Sequence, residues 1–424
     1  MTQTLPDIEK QNWKQLASVQ VGGAICLPLL LVGHELAKHG DPISKLFSIL
    51  WGNLLLFALA LIAGFMSTKR NLTTVEHASL YFGPKGRLFF AFILSCSMLG
   101  WFAIQTQSMG GDLYHYVHQL HGTGGLPAQS WKTLLSISLA ALMIAGVFFW
   151  GLQFFTWLSH ICIPLLIGTI GYVVYQTEPL SWIRELSLNQ LSVSLWDGRG
   201  VSLVLASSMA ATIDLPTFYR HADSQNAPVI ASVANYLIAM PLVQIAGICL
   251  YYGTQASTVS EALGTYSSLP WKTWIVCFML LAGWTTNNIN LYSAALSFKS
   301  LYKGMSLSTA MGITGVIGCL LVLIPVLEQF DLALNLMGIF VVAMGGVMFT
   351  AYLLEGYGIE TRPSFVWLAW FAGMATGLCT LFWPHWGSGA PVLDAGIVAI
   401  LALLVIQLSG EFRNSQHTIL REIG

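Results

Sequence analysis

Long apolar stretches separated by short polar ones set the frame of this chain. They cover about residues 16–32, 46–66, 88–109, 133–150, 152–175, 201–218, 229–252, 273–298, 306–327, 334–354, 365–383 and 392–408. Most come close to the ~20 residues a helix needs to cross a hydrocarbon core. None shows the strict two-residue alternation of a barrel strand. The pattern predicts an all-α integral membrane protein with about 12 transmembrane helices, numbered here as segments one to twelve.

Polar residues break this pattern most in segment eight, at Leu281-Ala-Gly-Trp-Thr-Thr-Asn-Asn-Ile-Asn-Leu-Tyr292. A polar group left without a partner in hydrocarbon costs about 2–7 kcal/mol, so such clusters face a bundle interior, a cavity or an ion path. Segments one and six carry a second irregularity. Each has a run of small residues followed by proline: Val19-Gln-Val-Gly-Gly-Ala-Ile-Cys-Leu-Pro28, and Val204-Leu-Ala-Ser-Ser-Met-Ala-Ala-Thr-Ile-Asp-Leu-Pro216. Glycine and proline both disfavour a helix interior. Both segments are therefore expected to break near mid-membrane, with kinked but packed helices as the alternative. Because five segments separate the two, a five-segment unit followed by its copy must be inverted. Interrupted helices at matching places in inverted halves point to a transporter's binding site. The units run over 16–175 and 201–355, followed by two additional helices over 364–410, with tails at 1–15 and 411–424.

Composition agrees: 55% of the 424 residues are hydrophobic and 9% charged, against about 25% charged in soluble domains. A formal net charge of −1 argues against nucleic-acid binding. With the N-terminus inside, twelve of the 18 Lys and Arg residues fall on the cytoplasmic side. That bias predicts both termini in the cytoplasm of a cell whose plasma (inner) membrane holds the chain. The polar, mixed-charge N-terminus shows no cleaved signal peptide. The seven cysteines lie in apolar runs without paired spacing and are expected to be buried small apolar residues, Cys26 excepted. Of the longer connections, 111–132 and 176–200, the second contains Trp182-Ile-Arg-Glu-Leu, which would suit a short interfacial helix. Gly312, Gly315 and Gly318, and the pair Gly373 and Gly377, are expected to serve close helix packing. No GxSxG, HExxH or Walker-type loop is present, so no enzyme class has support.

Thr285 and Thr286 are hard, uncharged oxygen ligands. With the Ala282 carbonyl one turn earlier and the carbonyls of Gly22 and Ile25 freed by a break in segment one, they would make a five-oxygen sodium site. The alternative is that both hydroxyls bond back to their own helix. Asn287, Asn288 and Asn290 offer donors and acceptors that suit a nucleobase edge. Asn287 and Asn290 share a face, whereas Asn288 points elsewhere, toward a neighbouring helix. On segment three, Gly100 beside Trp101 would let a flat ring approach, with Gln105 one turn on; Trp101 as plain packing stays open. Ser207 and Ser208 lie where segment six should unwind. Asp214 either carries a proton or, the favoured reading, caps the cytoplasmic half beside Arg220. His115, His118 and His121 have a zinc-like spacing, but no further ligand set completes it beyond Asp112, which favours a wet outer loop.

Several stretches together resemble the cytosine permease branch of the nucleobase–cation symporter family: Trp51-Gly-Asn-Leu-Leu-Leu56, Asn71-Leu-Thr-Thr74, Phe82-Gly-Pro-Lys-Gly86, Leu99-Gly-Trp-Phe102 and Trp284-Thr-Thr-Asn-Asn288. The resemblance implies a LeuT-like fold, a 5+5 inverted repeat plus two C-terminal helices with helices 1 and 6 broken. It also implies cation-coupled import of a planar heterocycle; the chain is expected to act as a monomer. Carried onto this chain, the sodium ligands would be the carbonyls of Gly22, Ile25 and Ala282 with the hydroxyls of Thr285 and Thr286. The substrate would stack on Trp101 and meet Ser207, Ser208 and Asn287. The chain departs from the cytosine permease pattern at three pocket positions: Met98 stands in place of a glutamine, Ser208 in place of an aromatic residue, and Cys26 in place of a bulkier aromatic one. The substrate is thus open among cytosine, another pyrimidine, a purine and a thiamine-precursor pyrimidine. Sodium is the expected coupling ion, proton coupling the rival, and no resident cofactor is implied.

Overall fold

The computed structural model describes residues 10–38, 41–121, 127–176, 195–256, 258–264, 269–302 and 304–423. Among these the regular structure is helical, apart from one isolated bridge between Gln11 and Ala222. Among the described residues eight helices are long and apolar enough to cross a membrane, and a ninth span is a bent pair. Segment eight, Leu269–Lys299, is not one of them although it has 31 residues. Its hydroxyl and amide run dilutes the apolar content. Segment nine, Leu307–Leu321, is short.

Segment one is the bent pair. Trp13–Ala24 and Leu27–Ala37 meet at 49°, with Ile25 and Cys26 between them in non-helical conformations. Pro28 stands at the start of the second helix, where a missing N–H costs nothing. Asn12 opens the first helix through a reciprocal capping box with Gln15.

Segment six differs from expectation. It runs helical from Gly198 to Ile213, pauses at Asp214 and resumes over Leu215–Tyr219. The interruption falls close to Pro216, not at Ser207 and Ser208, and it does not bend the span by more than 40°. The reason is the same as in segment one. Pro216 occupies an opening position of the second helix, so the ladder yields only there.

The expected break between segments four and five is also missing, since the backbone is helical over Ala128–Gln176. The connection before segment three folds into helix: Thr73 and Glu76 cap each other, and the helix turns at Gly83, whose φ of 75° favours glycine. Segment twelve continues helical to Ile423, past the expected tail boundary. Cys96 and Cys277 are exposed on helix faces, against the expectation of burial. The 182–186 stretch lies outside the described residues.

Two sets of close contacts position the site. The second helix of segment one crosses segment seven at Gly33 and Gly247, and segment two meets segment six at Gly52 and Val204. Segment three packs along segment eight, with the Gly283 position against Met109. The N-terminal stretch adds a clasp: Gln11 donates to the His221 carbonyl at 2.7 Å and accepts from Asp223 at 3.0 Å. This ties the start of segment one to the loop after segment six.

Candidate substrate and cation site

The break in segment one leaves backbone oxygens unused. The Ile25 amide donates to Val21 (2.8 Å), the Cys26 amide to Ala24 (2.9 Å), and the ladder resumes with Leu30 donating to Cys26 (3.4 Å). The carbonyls of Gly22, Gly23 and Ile25 take no backbone donor across the bend. Cys26 and Thr286 line the same cavity beside the bend. Segment eight thus meets the break at Thr286. Both threonines also bond back to their own helix: Thr285 donates to Leu281 (3.1 Å) and Ala282 (3.0 Å), and Thr286 donates to Ala282 (3.1 Å). These bonds use the hydroxyl protons and leave oxygen lone pairs for a cation. The Ala282 carbonyl is already shared by two donors. The Gly22 position faces Ile163 of segment five.

Beside the break lies a cavity of about 100 Å³. Cys26, Met98, Trp101, Gln105, Ser207, Ser208 and Thr286 all line it, so residues far apart in the chain converge there. Met98, Trp101 and Gln105 follow helical spacing on one face of segment three. The Trp101 ring meets Phe330 edge-on, centroids 6.3 Å apart. Phe330 in turn lines a second, larger cavity of about 630 Å³ together with Glu35, Lys38, Asp112 and Lys132. A pair of rings therefore stands between the two cavities.

Four expectations need correction. Asn287 does not line the cavity. Its Nδ2 donates to the Phe102 carbonyl (3.2 Å) and Thr106 Oγ1 (2.9 Å), pinning segment eight to segment three. Asn290 takes its place at the cavity wall. Helical geometry explains this: Thr286 and Asn290 are i, i+4 neighbours, whereas Asn287 is turned by about 100° from Thr286. Asn288 finds no partner for either amide atom. Ser207 and Ser208 sit on intact helix, with Ser207 Oγ donating to Val204 at 2.7 Å, so they offer hydroxyls rather than unwound backbone. Gly100 does not open space for a ligand, because a Cβ there would meet Met337 Sδ at 2.6 Å.

Asp214 does not cap the helix after it, and Arg220 donates to His221 instead (3.2 Å). The Asp214 carboxylate is buried and accepts from Thr217 Oγ1 at 2.7 Å and from Ser293 Oγ. Thr217 also meets Thr74 at 3.1 Å. The network joins segments six and eight to the helix that leads into segment three. His115 and His118 sit on helix rather than in a loop, with His118 stacked on Tyr114. Among the described residues no group of three or more His, Cys, Asp or Glu is placed to hold a metal.

Segment seven contributes wall residues that sequence reading missed: Asn235, Tyr236 and Met240. The first two lie on a π-helical turn, Val233–Ala239, closed by the Met240 amide donating to the Asn235 carbonyl five residues back. Pro241 follows at once. Its ring would clash with the carbonyl four residues earlier, and widening the turn relieves that clash. The Tyr236 hydroxyl bonds Thr212 of segment six at 2.9 Å.

A family model described as permease for cytosine/purines, uracil, thiamine, allantoin matches residues 6–402. The cytosine permease of Escherichia coli (strain K12) is 24% identical over 369 residues, covering 85% of this chain and 82% of that protein. Among solved structures, the inward-facing conformation of Mhp1 superposes with a TM-score of 0.70 at 17% identity, covering 96% of each chain. Mhp1 in a closed conformation with bromovinylhydantoin bound gives 0.67 at 16% identity, again over 96% of each chain. A Na+-coupled sialic acid symporter gives 0.68 at 14% identity, over 94% of this chain and 90% of that one. The likeness to these structures is one of fold.

Proposed function

The chain belongs to the family of permeases for cytosine/purines, uracil, thiamine and allantoin, membrane transporters rather than enzymes, and from that premise we propose that it imports a nucleobase or related pyrimidine-like heterocycle together with sodium. The observation that carries this reading is a single cavity bounded by Trp101, the break in segment one and Thr286. An indole face suits a planar ring, and the absence of charged side chains from the wall suits a neutral one. The sodium would sit beside the cavity, on the Gly22, Ile25 and Ala282 carbonyls and the Thr285 and Thr286 hydroxyls. Thr286 would be the shared wall through which ion and substrate favour the same state. Coupling needs only that each ligand prefer that state. The inward field adds about 2.3 kcal/mol per charge per 100 mV, roughly a 50-fold bias for one sodium ion. The protein would act as a monomer in the plasma (inner) membrane with both termini in the cytoplasm.

Proton coupling is the second reading, favoured by one feature, the Asp214 carboxylate buried between segments six and eight. Uptake at clamped membrane potential, with sodium replaced by choline, separates the two. Loss of uptake is expected, and Thr286→Ala should flatten the sodium response more than a change at Trp101 does. Uptake that follows a pH gradient and ignores choline replacement would move the coupling site to Asp214.

A further inference from the structure

We infer that segment seven reads the substrate directly: Asn235, presented by the π turn, accepts a hydrogen bond from a ring N–H of the transported heterocycle, in the cavity that Gln105 also lines. The inference rests on the nucleobase reading above and adds a specificity residue to it. Asn235 is 4% exposed and lines the cavity. Its Nδ2 is spent on Met240 Sδ at 3.7 Å, while its Oδ1 has no partner among the described residues. Gln105, 2% exposed on segment three, has an Oε1 in the same condition. Buried carbonyl oxygens without donors are rare in folded proteins. Two of them around one cavity form an acceptor pair in want of donors.

The local backbone supports the assignment. In the π turn each ladder bond spans five residues instead of four, so Asn235 and Tyr236 are displaced from the face a regular helix would give them. Tyr236 is held by Thr212, which fixes the turn against segment six. π turns recur at functional sites, and this one borders the cavity beside Ser207 and Ser208. The ligand class that answers two acceptors in an uncharged pocket is a neutral lactam or ureide ring with N–H groups on separate edges. A ring alkylated at one of those nitrogens lacks the donor and fills the space of the bond.

The test is competition against uptake in cells expressing the full chain, using cytosine, uracil and hypoxanthine, each with its ring N-methyl derivatives. The wild type should reject methylation at one ring nitrogen by about ten- to a hundred-fold in half-inhibition. Asn235→Leu, close in shape, should lose that preference while keeping the preference at the nitrogen read by Gln105. Asn235→Ser serves as a smaller polar variant if the leucine form fails to reach the membrane. Unchanged preference at every nitrogen in a well-expressed variant, or an equal fall at all of them, would overturn the role of Asn235. A wild type that is inhibited by none of these rings would instead overturn the nucleobase reading on which it stands.

Discussion

Gly247→Val should leave little or no folded protein in the membrane. A Cβ at this position would lie 2.2 Å from the Leu30 carbonyl oxygen, 2.7 Å from the His34 amide nitrogen and 2.9 Å from the Gly33 Cα. The contact is reciprocal, for a Cβ on Gly33 would meet the Gln244 carbonyl oxygen at 1.9 Å. All of these are backbone atoms of two helices, so no rotamer change relieves the clash. The helices must part, and the buried bond from Asn53 Nδ2 to Gln244 Oε1, 2.7 Å long, is strained with them. Overpacking of a tight contact costs about 1–3 kcal/mol and sometimes more. At a backbone crossing with two γ-methyls added, a cost on the order of 3 kcal/mol or more is expected, a large share of the 5–15 kcal/mol that holds a typical fold. Size-exclusion profiles and thermal midpoints in detergent read it out. Gly111→Ala is the control, since nothing lies within 4 Å of a Cβ there. A Gly247→Val protein with the wild-type midpoint would mean that segments one and seven do not cross at this distance.

Trp101→Ala is expected to raise sharply the substrate concentration that half-maximal uptake requires. Stacking on an aromatic face contributes about 1–3 kcal/mol per ring, which converts to roughly a 5- to 150-fold rise in the substrate concentration needed. The indole is 6% exposed and braced by Phe330, so truncation also opens the wall between the two cavities. For that reason Trp101→Phe is the informative companion. It keeps a ring for stacking and a body for packing, and should recover most of the affinity. Direct binding by calorimetry on purified protein measures both variants. If Trp101→Ala bound substrate as the wild type does, the indole would be only a packing group and the ring site would lie elsewhere.

What was legible in the sequence was whatever depends on local backbone chemistry. Gly22-Gly23 followed by Pro28 places a break in segment one, and the helix breaks at Ile25 and Cys26. The same logic misplaced the irregularity of segment six, because the small residues Ser207 and Ser208 tolerate helix and only Pro216 compels a stop. Segment three yielded its cavity face correctly, as the spacing of Met98, Trp101 and Gln105 fixes a face once one member is known. Segment eight was harder. Three amides in four residues occupy different faces, and which of them meets the cavity depends on how the helix is rotated against segment three. The position of Thr286 held that information: with Thr286 at the break, Asn290 rather than Asn287 must follow it. The π turn was out of reach, since Pro241 dictates relief of a clash without dictating whether the helix kinks or widens.

The weak apolarity of segment eight has a consequence for biogenesis. A nascent chain bearing Thr-Thr-Asn-Asn-Ile-Asn partitions poorly into lipid on its own, because insertion is governed by summed transfer free energies. The amide of Asn287 finds its acceptors on earlier helices, at Phe102 and Thr106 of segment three and at Met143 Sδ of segment four. Segment eight is therefore expected to settle stably in the bilayer only once those earlier helices are present to receive its amides.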